Sequence, residues 1–353
     1  MSGGVDSSVV AARVAAAGIP AFGITLAMWP SSREMVRDRG CCSIDAVDDA
    51  RRVAAAVGLD HYVWNLERDF AELVVAEFEE GYAAGNTPNP CVRCNERVKF
   101  GVLLERAMEA GASHVATGHY ARTGFADGEW TLHRALDGRR DQSYVLHRLA
   151  QEQLSRAVFP LGSHETKQEV RAEAHRLGLH TAAKPESQDL CFVDGRISEH
   201  LSTRLAGRFQ AGPVVSLDGR EVGRHRGLPF HTVGQRSGLR LQPLTPDARP
   251  SYVIEIRPAD NAIVVGPREA LTMSRVEVAS CSWTSGRPPQ PAQRCAVQLR
   301  AHGEALPATV AADSGGGAHI RLDSPASRVA PGQAAVLYNG DRVLGGGSVT
   351  GAA

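Results

Sequence analysis

The chain has 353 residues, of which 43% are hydrophobic and 22% charged, as in an ordinary globular protein long enough for two or three domains. No apolar run approaches the ~20 residues of a membrane span, and no signal peptide is visible. The seven cysteines are an odd number and do not suggest a secreted disulfide scaffold, so we expect a cytoplasmic protein with reactive thiols.

The formal net charge of zero hides an asymmetry between the two halves of the chain. Residues 1–195 carry 21 Lys and Arg against 27 Asp and Glu, a net charge of −6, whereas residues 196–353 carry 18 against 12, a net charge of +6. All 18 basic residues of the second half are arginines, whose guanidinium groups suit phosphate. A solvated basic face and a surface that contacts nucleic acid both fit this pattern.

The chain begins with a predicted phosphate-binding loop, Ser2-Gly3-Gly4-Val5-Asp6-Ser7-Ser8, followed by a helical pattern over residues 9–17 that ends at Gly18. The two glycines let the backbone approach a ligand closely, and the helix N-terminus offers N–H groups to an anion. The loop matches neither the Walker A pattern nor G-x-G-x-x-G. A simple turn with an N-cap is the alternative interpretation.

As far as about residue 120, short apolar strands alternate with helical patterns. Strands are predicted over residues 19–29, 61–64 and 113–117, and helices over residues 45–53, 70–82 and 98–110. This alternation predicts an α/β domain with a doubly wound parallel sheet. A phosphate loop normally follows a buried strand of such a sheet, but here only Met1 precedes it.

From about residue 197 the pattern changes to short β-branched runs separated by Gly and Pro. The predicted strands lie at residues 212–215, 252–256, 262–265, 295–299 and 334–338. Asp218-Gly219 and Asn339-Gly340 are hairpin-turn signals, so we expect two small antiparallel β domains. Because residues 286–291 form a proline-rich loop or linker, the predicted domains are 1–196, 197–275 and 276–353.

Cys91-Val92-Arg93-Cys94 fits a zinc knuckle, a redox pair or two ordinary thiols. A knuckle needs a second ligand pair, for which only Cys41-Cys42 is available. Pro88 and Pro90 stiffen the loop ahead of a helix, so we expect both thiols to be exposed near a helix N-terminus, where thiols are reactive. Cys191, at the edge of a predicted strand, is either a second reactive thiol or a small buried hydrophobe.

The N-terminal loop resembles the pyrophosphate loop of the ATP pyrophosphatase superfamily, whose members transfer AMP from ATP to an oxygen. Nearly the whole chain resembles the bacterial tRNA-specific 2-thiouridylases. The motifs that carry this resemblance are Thr117-Gly118-His119-Tyr120-Ala121-Arg122, Asp141-Gln142-Ser143-Tyr144-Val145-Leu146, Phe159-Pro160-Leu161-Gly162, Glu186-Ser187-Gln188-Asp189-Leu190-Cys191-Phe192-Val193, Thr232-Val233-Gly234-Gln235-Arg236-Ser237-Gly238-Leu239 and Gly340-Asp341-Arg342-Val343-Leu344-Gly345-Gly346-Gly347.

The resemblance implies a pyrophosphate-loop ATPase domain followed by a central β domain and a C-terminal, barrel-like domain that contacts tRNA. The implied reaction adenylates the C2 oxygen of wobble uridine 34, then transfers sulfur from a cysteine persulfide, giving 2-thiouridine, AMP and pyrophosphate. ATP and Mg²⁺ are the implied cofactors, without a bound metal cluster. The implied partners are tRNAs of the Lys, Glu and Gln type and a persulfide donor such as a cysteine desulfurase or relay protein, with no membrane contact.

The resemblance also assigns site residues, one by one. Cys191 matches the cysteine that carries the persulfide, and Cys94 matches the cysteine that closes a disulfide with it. The ATP-binding positions are Met1, Ser2, Gly3, Gly4, Val5, Asp6, Ser7, Ser8, Met28 and Gly118. The positions that contact the target base or other parts of the tRNA are Asn89, Pro90, Cys91, His119, Asp141, Gln142, Arg300 and Gln333. Many members have Asp in place of Cys91, so no acid–base role is transferred, and Cys91 is a second candidate for the resolving thiol.

Two other functions are open at this point. An amidotransferase-type ligase would share the loop, but it needs an ammonia source, and no glutaminase domain is visible. A tRNA-binding protein that no longer holds ATP is the alternative without catalysis. Release of pyrophosphate from ATP, with and without unmodified tRNA, separates all three.

The start of the chain carries an expectation of its own. Without a strand before the loop, the strands near Ile24 and Val115 would each expose an edge, and unpaired buried polar groups cost about 1–3 kcal/mol each. We expect the 353-residue chain to be poorly soluble and to bind ATP weakly. A chain extended upstream by roughly eight residues, a strand's length, should melt higher and bind ATP more tightly.

Overall fold

The computed structural model describes residues 1–29, 44–164, 166–185, 190–193, 195–239, 241 and 250–353. Cys41, Cys42 and the segment 186–189 of the Cys191 motif lie outside the described residues. Among the residues that are described, no helix has both the length and the apolar character that a membrane span requires.

The helices are α1 (Val5–Ala16), α2 (Ile44–Ala56), α3 (67–83), α4 (90–109), α5 (Ser143–Leu146), α6 (Gln151–Arg156), α7 (Lys167–Arg176) and α8 (Ile197–Arg204). Helices α3 and α4 contain π-helical stretches at Ala71–Val75 and Cys94–Val102. Short 3-10 turns lie at His180–Ala183, Leu228–Phe230, Pro258–Asp260 and Arg268–Leu271.

The strands are β1 (Phe22–Ala27), β2 (Asp60–Asn65), β3 (Val115–Ala116), β4 (Ala121–Ala126), β5 (Glu129–Arg134), β6 (Ala157–Val158), β7 (Gly212–Ser216), β8 (Glu221–His225), β9 (Tyr252–Arg257), β10 (Ala262–Gly266), β11 (Thr272–Trp283), β12 (Gln293–Gln298), β13 (Ala305–Ala312), β14 (Ala318–Ser327), β15 (Ala334–Asn339) and β16 (Arg342–Ala352). The α/β class followed by β domains, predicted from the sequence, is confirmed.

The N-terminal region contains parallel strand pairs covered by helices. β1 pairs with β2 in register Ile24 to Tyr62, and β3 pairs with β6 in register Val115 to Ala157. Within the described residues these pairs form two separate sheets. The apolar face of α1, with Val9 fully buried, packs in the same core cluster as residues of α7.

A second core lies between α3 and α4. Phe70, Val74 and Phe78 of α3 are each at most 2% exposed, and Val98 of α4 packs in the same cluster. Their spacing of three to four residues places them on one face of each helix, which is the face that turns to the core. Phe192, next to Cys191, belongs to this core as well.

The central β domain has the strand order β8-β7-β10-β9. β7–β8 and β9–β10 pair antiparallel, but β7 and β10 pair in parallel, so this sheet is mixed where we predicted an antiparallel one. β7 and β10 are not joined by a hairpin. A long connection that returns the chain to the same end of the sheet permits the parallel pairing.

The C-terminal strands form an antiparallel sheet in the order β11-β14-β13-β12-β15-β16, and pairing of β11 with β16 closes it into a barrel. The predicted domain boundary at residues 275–276 falls within β11. The first residues of β11 pair with β14 and therefore belong to the barrel. The β4–β5 hairpin of the N-terminal region extends this sheet, with His133 opposite Arg342.

The close fit of β16 against β15 depends on a glycine in β16, which gives the first prediction. A Cβ at Gly346 would overlap the carbonyl oxygen of Ala335 and lie 3.0 Å from the Val336 Cα, both backbone atoms of the neighbouring strand. Gly346→Ala should therefore lower the free energy of unfolding by roughly 1–3 kcal/mol, the usual cost of overpacking. Urea denaturation measures this. Gly138→Ala, with nothing within 4 Å of the added Cβ, is the matched control. Equal stability of the two variants would contradict this close contact between β15 and β16.

Candidate active site

The N-terminal loop is held by a close backbone approach. Gly3 has a φ of 65°, and a Cβ there would overlap the backbone carbonyl of Ala46 in α2, so only glycine fits. Gly4 is the N-cap of α1 and has no side chain to occupy the N–H groups of the first turn. The backbone N–H of Ser2 donates to Ser7 Oγ over 3.1 Å and folds the loop back on the helix start. This geometry suits a phosphate anion.

Several predicted ATP positions lie beside this loop. A Cβ at Gly118 would come within 2.9 Å of Asp6 Cβ and 3.1 Å of the Ser7 backbone nitrogen, so Gly118 touches the loop directly. The carbonyl of Met1 accepts a hydrogen bond from Thr25 Oγ1 at 2.7 Å. The structure therefore brings the loop and Gly118 together. Met28 is 5% exposed and packs in the core that contains Cys94.

Sequence reasoning missed two residues that hold Asp6 of the loop. Lys167 Nζ, on a side chain only 8% exposed, donates to both carboxylate oxygens of Asp6 at 2.5 and 2.7 Å. The Tyr120 hydroxyl donates to Asp6 Oδ1 at 2.7 Å. The available signal was the N-cap Thr166 with Glu169 three residues later, which marks the start of the helix that Lys167 opens. The loop thus combines N–H donors and an ammonium group, which suit a phosphate, with a carboxylate whose two oxygens both accept from Lys167.

The Cys-x-x-Cys segment opens helix α4. Asn89 is its N-cap, and the side-chain oxygen accepts a hydrogen bond from the Cys91 backbone N–H at 3.1 Å, while Pro90 fills the first helical position. Cys91 is exposed as predicted, but Cys94 is buried, so the expected exposure of both thiols was wrong for Cys94. Cys94 lies four residues before buried Val98 and shares its core-facing side of the helix.

Cys191 is exposed in a short turn rather than at the edge of a strand. The next residue, Phe192, is 4% exposed, and its ring packs edge-on against Phe70 at 5.7 Å and Phe78 at 5.2 Å. Because Cys94 belongs to the same core cluster as Phe192, the aromatic anchor fixes the Cys191 turn on the cluster that buries Cys94.

Two of the predicted tRNA contacts have side chains engaged within the protein. The Asp141 carboxylate, 3% exposed, accepts hydrogen bonds from Arg134 Nη1 at 2.8 Å and from Ser143 Oγ at 2.8 Å. The Gln142 side-chain oxygen accepts from the Tyr120 backbone N–H at 2.9 Å. In this conformation both side chains therefore stabilise the protein segments around Tyr120 and Arg134, next to the N-terminal phosphate-binding loop.

His119 packs in a cluster with two aromatic rings, its centroid 6.2 Å from Phe100 and 6.0 Å from Phe159. Burial, and secondly the positive charge of Lys99, lower its pKa well below the ordinary value of 6.5. The imidazole is therefore neutral at pH 7. A neutral ring can stack or hydrogen-bond with RNA but adds no charge to attract phosphate.

The C-terminal barrel docks directly on the loop that precedes Asn89. The Thr87 N–H donates to the Pro331 carbonyl at 2.7 Å, and Gln333 Nε2 donates to the Thr87 carbonyl at 2.6 Å. Gln333 is thus brought beside the predicted base-contacting segment. Arg300 is exposed on the barrel, and its guanidinium donates to the Arg328 carbonyl at 2.9 Å.

A cavity of about 360 Å³ lies at this junction. It is lined by parts of α3, the 86–93 segment, His147 and Arg148, and the barrel segments around residues 332–334 and 347–349. Both the N-terminal region and the barrel therefore contribute walls to it.

An ionic network joins the cysteine-bearing helix to the barrel. Arg93 donates to Glu77 at 2.6 Å and to Glu96 at 2.8 Å, and Glu96 also accepts from Arg148 Nε at 2.8 Å. Arg148 Nη1 donates to the barrel carbonyl of Ser280 at 2.7 Å. Burial raises the pKa of Glu96, but Arg148 and Arg93 lower it further, so the net shift is downward. Glu96 is ionised at neutral pH and connects two arginines.

Glu96→Gln should lower the free energy of unfolding by roughly 1.5–3 kcal/mol at pH 7. The hydrogen bonds from Arg93 and Arg148 would then end on a neutral amide instead of a carboxylate, and such bonds are weaker. The folded-state pKa of Glu96 lies below its ordinary 4.5, so the stabilisation is present above pH 4.5 and is lost as the pH falls through the folded value. The difference in unfolding free energy between the variant and the wild type should become smaller as the pH falls through that range. Urea denaturation at several pH values tests this.

Glu72→Gln is the matched control, because its ion pair with Arg68 is exposed, with side chains 62% and 88% accessible. Such a pair contributes at most about 1 kcal/mol. A loss of stability for Glu96→Gln that is as small as the control's, or that does not change with pH, would contradict a stabilising, partly buried ionic network.

Comparison with known families covers almost the whole chain. The family model described as tRNA methyl transferase HUP domain matches residues 1–195. The tRNA methyl transferase PRC-barrel domain matches residues 199–267, and the aminomethyltransferase beta-barrel domain matches residues 273–349.

Curated relatives match over nearly their full length. A tRNA-specific 2-thiouridylase MnmA of Chloroflexus aurantiacus is 47% identical over 349 residues, covering 98% of this chain and 96% of the relative. Proteins of the same name are 48% identical in Beutenbergia cavernae, over 99% of this chain and 93% of the relative, and in Salinispora arenicola, over 99% and 97%. With this identity over its full length, the chain belongs to the tRNA-specific 2-thiouridylase family.

Proposed function

We propose that this chain is a tRNA-uridine 2-sulfurtransferase that uses ATP to replace the C2 oxygen of the wobble uridine by sulfur. The observation that carries the proposal is 47% identity to a named tRNA-specific 2-thiouridylase over 98% of the chain. The geometry supports it, because a phosphate-binding loop, a buried thiol and an exposed thiol occupy one N-terminal domain. The reaction takes place in the cytoplasm.

Activation of the base comes first. The C2 carbonyl of uridine is a poor electrophile, and ATP supplies the AMP group that turns its oxygen into a leaving group. The first-turn N–H groups of α1 and the Lys167 ammonium would stabilise the negative charge that develops on the departing pyrophosphate. Mg²⁺ would accompany the phosphates, and Asp6, whose two oxygens accept from Lys167 here, would have to exchange that partner to bind the ion. Gly118, in contact with Asp6 and Ser7, closes one side of the same site.

Sulfur transfer then uses the two cysteines in different roles. The terminal sulfur of a Cys191 persulfide attacks C2, and the C2–O bond to AMP breaks. The Cys94 thiolate next attacks the Cys191 Sγ, which breaks the S–S bond, leaves the sulfur on C2 and forms a Cys94–Cys191 disulfide. Two electrons from an external dithiol reduce that disulfide before the next cycle.

The exposures of the thiols suit these roles. Exposed Cys191 is accessible to a protein persulfide donor, such as a cysteine desulfurase or a relay protein. Cys94 is 7% exposed, which protects it from premature oxidation until the substrate is in place. Exposed Cys91 is the alternative resolving thiol.

The substrate is a tRNA of the Lys, Glu or Gln type, and its wobble base must leave the anticodon stack to reach the thiols. Asn89, Pro90 and Cys91 would contact that base, with His119, Gln333 and Arg300 contacting the RNA around it. Docking of the barrel on the loop before Asn89 supports this arrangement, because Gln333 reaches that loop directly.

The two other candidate functions are less well supported. A ligase of the amidotransferase type has no use for two thiols at separate positions of one domain. A binding protein without catalysis would not require a loop with a positive-φ glycine and a buried lysine on its aspartate. Release of pyrophosphate that depends on unmodified tRNA supports the sulfurtransferase, release without tRNA supports a ligase, and no release supports the binding protein.

Cys191→Ser should abolish formation of 2-thiouridine while AMP transfer to tRNA stays detectable, because sulfur delivery follows activation. Cys94→Ser should stop turnover after persulfide has loaded on Cys191. Thiolated tRNA is measured by nucleoside mass spectrometry, and the persulfide by mass spectrometry of the intact protein. Cys295→Ser, in the barrel, is the control and should retain activity. Full thiolation by Cys191→Ser would exclude the mechanism, and normal cycling by Cys94→Ser would transfer the resolving role to Cys91.

The arginine-rich second half should supply much of the affinity for tRNA. If about five phosphates are neutralised, log K should fall with log[salt] at a slope of about −0.7 to −0.9 per contact. Arg300→Ala should make that slope less negative by about one contact, whereas Arg51→Ala, exposed in the acidic half, should leave it unchanged. Filter binding over a salt series measures both. A slope near zero for the wild-type chain would rule out this role.

A further inference from the structure

The segment that leads to Cys191 is held in place before it reaches the cysteine. Residues 180–184, here called the stem, begin with a 3-10 turn at His180–Ala183. Leu179 and Ala182 are 5% and 2% exposed and pack in the core cluster that contains the buried face of α1. The stem ends seven residues before Cys191, and seven residues span at most roughly 25 Å. The position of the stem therefore limits the positions that the Cys191 sulfur can reach.

Helix α2 holds the stem through one carboxylate. Lys184 Nζ donates to Asp49 Oδ2 at 2.5 Å, and His180 Nε2 lies 2.9 Å from Asp49 Oδ1. The Asp49 side chain is only 19% exposed. Burial raises the pKa of Asp49, but the hydrogen bonds from Lys184 and His180 lower it further, so the net shift is downward from 3.8. Asp49 is therefore ionised at neutral pH and holds both ends of the stem on α2.

Helix α7 holds the backbone of the same stem. Arg171 donates from Nη1 to the Ala182 carbonyl at 2.6 Å and from Nη2 to the Lys184 carbonyl at 3.0 Å. A guanidinium group presents its donors in a fixed fork, which the ammonium group of a lysine does not. The two hydrogen bonds therefore define the path of the stem backbone, in addition to the side-chain contacts with Asp49.

The same two helices also hold the phosphate-binding loop, one helical turn away from the stem. On α2, the Ala46 backbone meets the loop at Gly3, and Asp49 follows three residues later. On α7, Lys167 binds the aspartate of the loop, and Arg171 follows four residues later. Residues three or four apart lie on one side of a helix, and one turn rises about 5.4 Å. Each helix therefore holds the loop and the stem about one turn apart.

We propose that Asp49 and Arg171 are positioning residues for sulfur transfer, which set the distance between the ATP site and Cys191. The inference rests on the proposed function, since it requires a base activated at the phosphate-binding loop and a persulfide on Cys191. Both residues act through the stem and not on the RNA or ATP. AMP transfer needs only the loop and the RNA, whereas sulfur transfer needs Cys191 at the activated base. Loss of either residue should therefore slow the second step alone.

Asp49→Asn tests the contact of the stem with α2, because it keeps the size of the side chain and removes its negative charge. With persulfide loaded on Cys191 beforehand, single-turnover thiolation of tRNA should slow by about 10- to 100-fold, since a misplacement of about 1 Å can cost that much. Nucleoside mass spectrometry measures this rate. The rate of AMP transfer from α-³²P-labelled ATP and the ATP Kd should stay close to the wild-type values, so adenylated tRNA should accumulate.

Matched variants separate the position of the stem from the stability of the fold. Asp48→Asn changes the neighbouring residue of α2, whose ion pair with Arg51 is exposed, with side chains 48% and 59% accessible, and should leave every rate unchanged. Asp49→Glu keeps a carboxylate and should restore part of the thiolation rate. Lys184→Met removes the partner on the stem, and adding it to Asp49→Asn should cause little further loss, because the two residues share one interaction.

Arg171→Lys tests the second helix independently. It keeps the positive charge but cannot donate to both carbonyls from a fixed fork, so it should slow thiolation and leave AMP transfer unchanged. Arg176→Lys, exposed at the end of the same helix, is its control. The melting temperature and the persulfide load on the intact protein are measured for each variant. If one of the two variants fails to fold, the other still tests the proposal.

Equal losses of AMP transfer and thiolation in the folded variants would overturn the proposal, because a purely structural role lowers both rates together. Normal thiolation by folded Asp49→Asn or Arg171→Lys would overturn the role of that residue. Thiolation by the wild-type chain is scored separately. If the wild-type chain forms no 2-thiouridine with ATP and a persulfide donor, the proposed function is wrong, and the positioning role is wrong with it. Normal thiolation by the wild type and by both variants excludes only the positioning role.

Discussion

The arrangement of the active site depends on the partly buried ion pairs around Glu96. This carboxylate accepts from Arg93 on its own helix and from Arg148, and Arg148 reaches the Ser280 carbonyl of the barrel. A partly buried carboxylate between two arginines is most stable when all three groups keep their geometry, since removing one leaves a charge that is only partly compensated by solvent. The helix that begins at Asn89 and carries Cys94 is therefore held at a fixed position relative to the barrel.

The two reactive cysteines are positioned by different means. Cys94 is set by the helix itself, one turn before Val98, on the side that faces the core. Cys191 lies in an exposed turn that is anchored by the ring of Phe192 against Phe70 and Phe78. A turn anchored by one aromatic side chain can move more easily than a helix with a buried face. That difference suits a thiol that meets a donor protein first and the RNA base afterwards.

Much of the fold followed from local patterns. The strands near Ile24 and Tyr252 and the long helices of the N-terminal domain lie close to their predicted positions, because each has a clear apolar period and a turn or cap at its ends. The predicted barrel boundary illustrates the limit. We placed the boundary by the proline-rich segment 286–291 and interpreted that segment as a linker between domains. The segment instead connects β11 with β12, two strands of the same barrel.

The site was predicted less completely, and the omissions share a cause. Lys167 reaches Asp6 across 161 residues, and no local pattern marks a lysine at the start of a helix as a partner of the loop. The burial of Cys94 depends on which face of its helix meets the Phe70 core, and a four-residue motif does not fix that orientation.

The hairpin that joins the barrel sheet affects how the chain folds as it is synthesised. β4 and β5 belong to the N-terminal region, yet Asp341 at the edge of β16 hydrogen-bonds to His133, 208 residues earlier. Domains usually fold in order as they leave the ribosome. Here the outer edge of the hairpin meets its partner strand only after β16 has been synthesised, so the nascent N-terminal domain exposes an incomplete sheet edge until then. Synthesis of β16, rather than completion of the N-terminal domain, therefore closes the interface between that domain and the barrel.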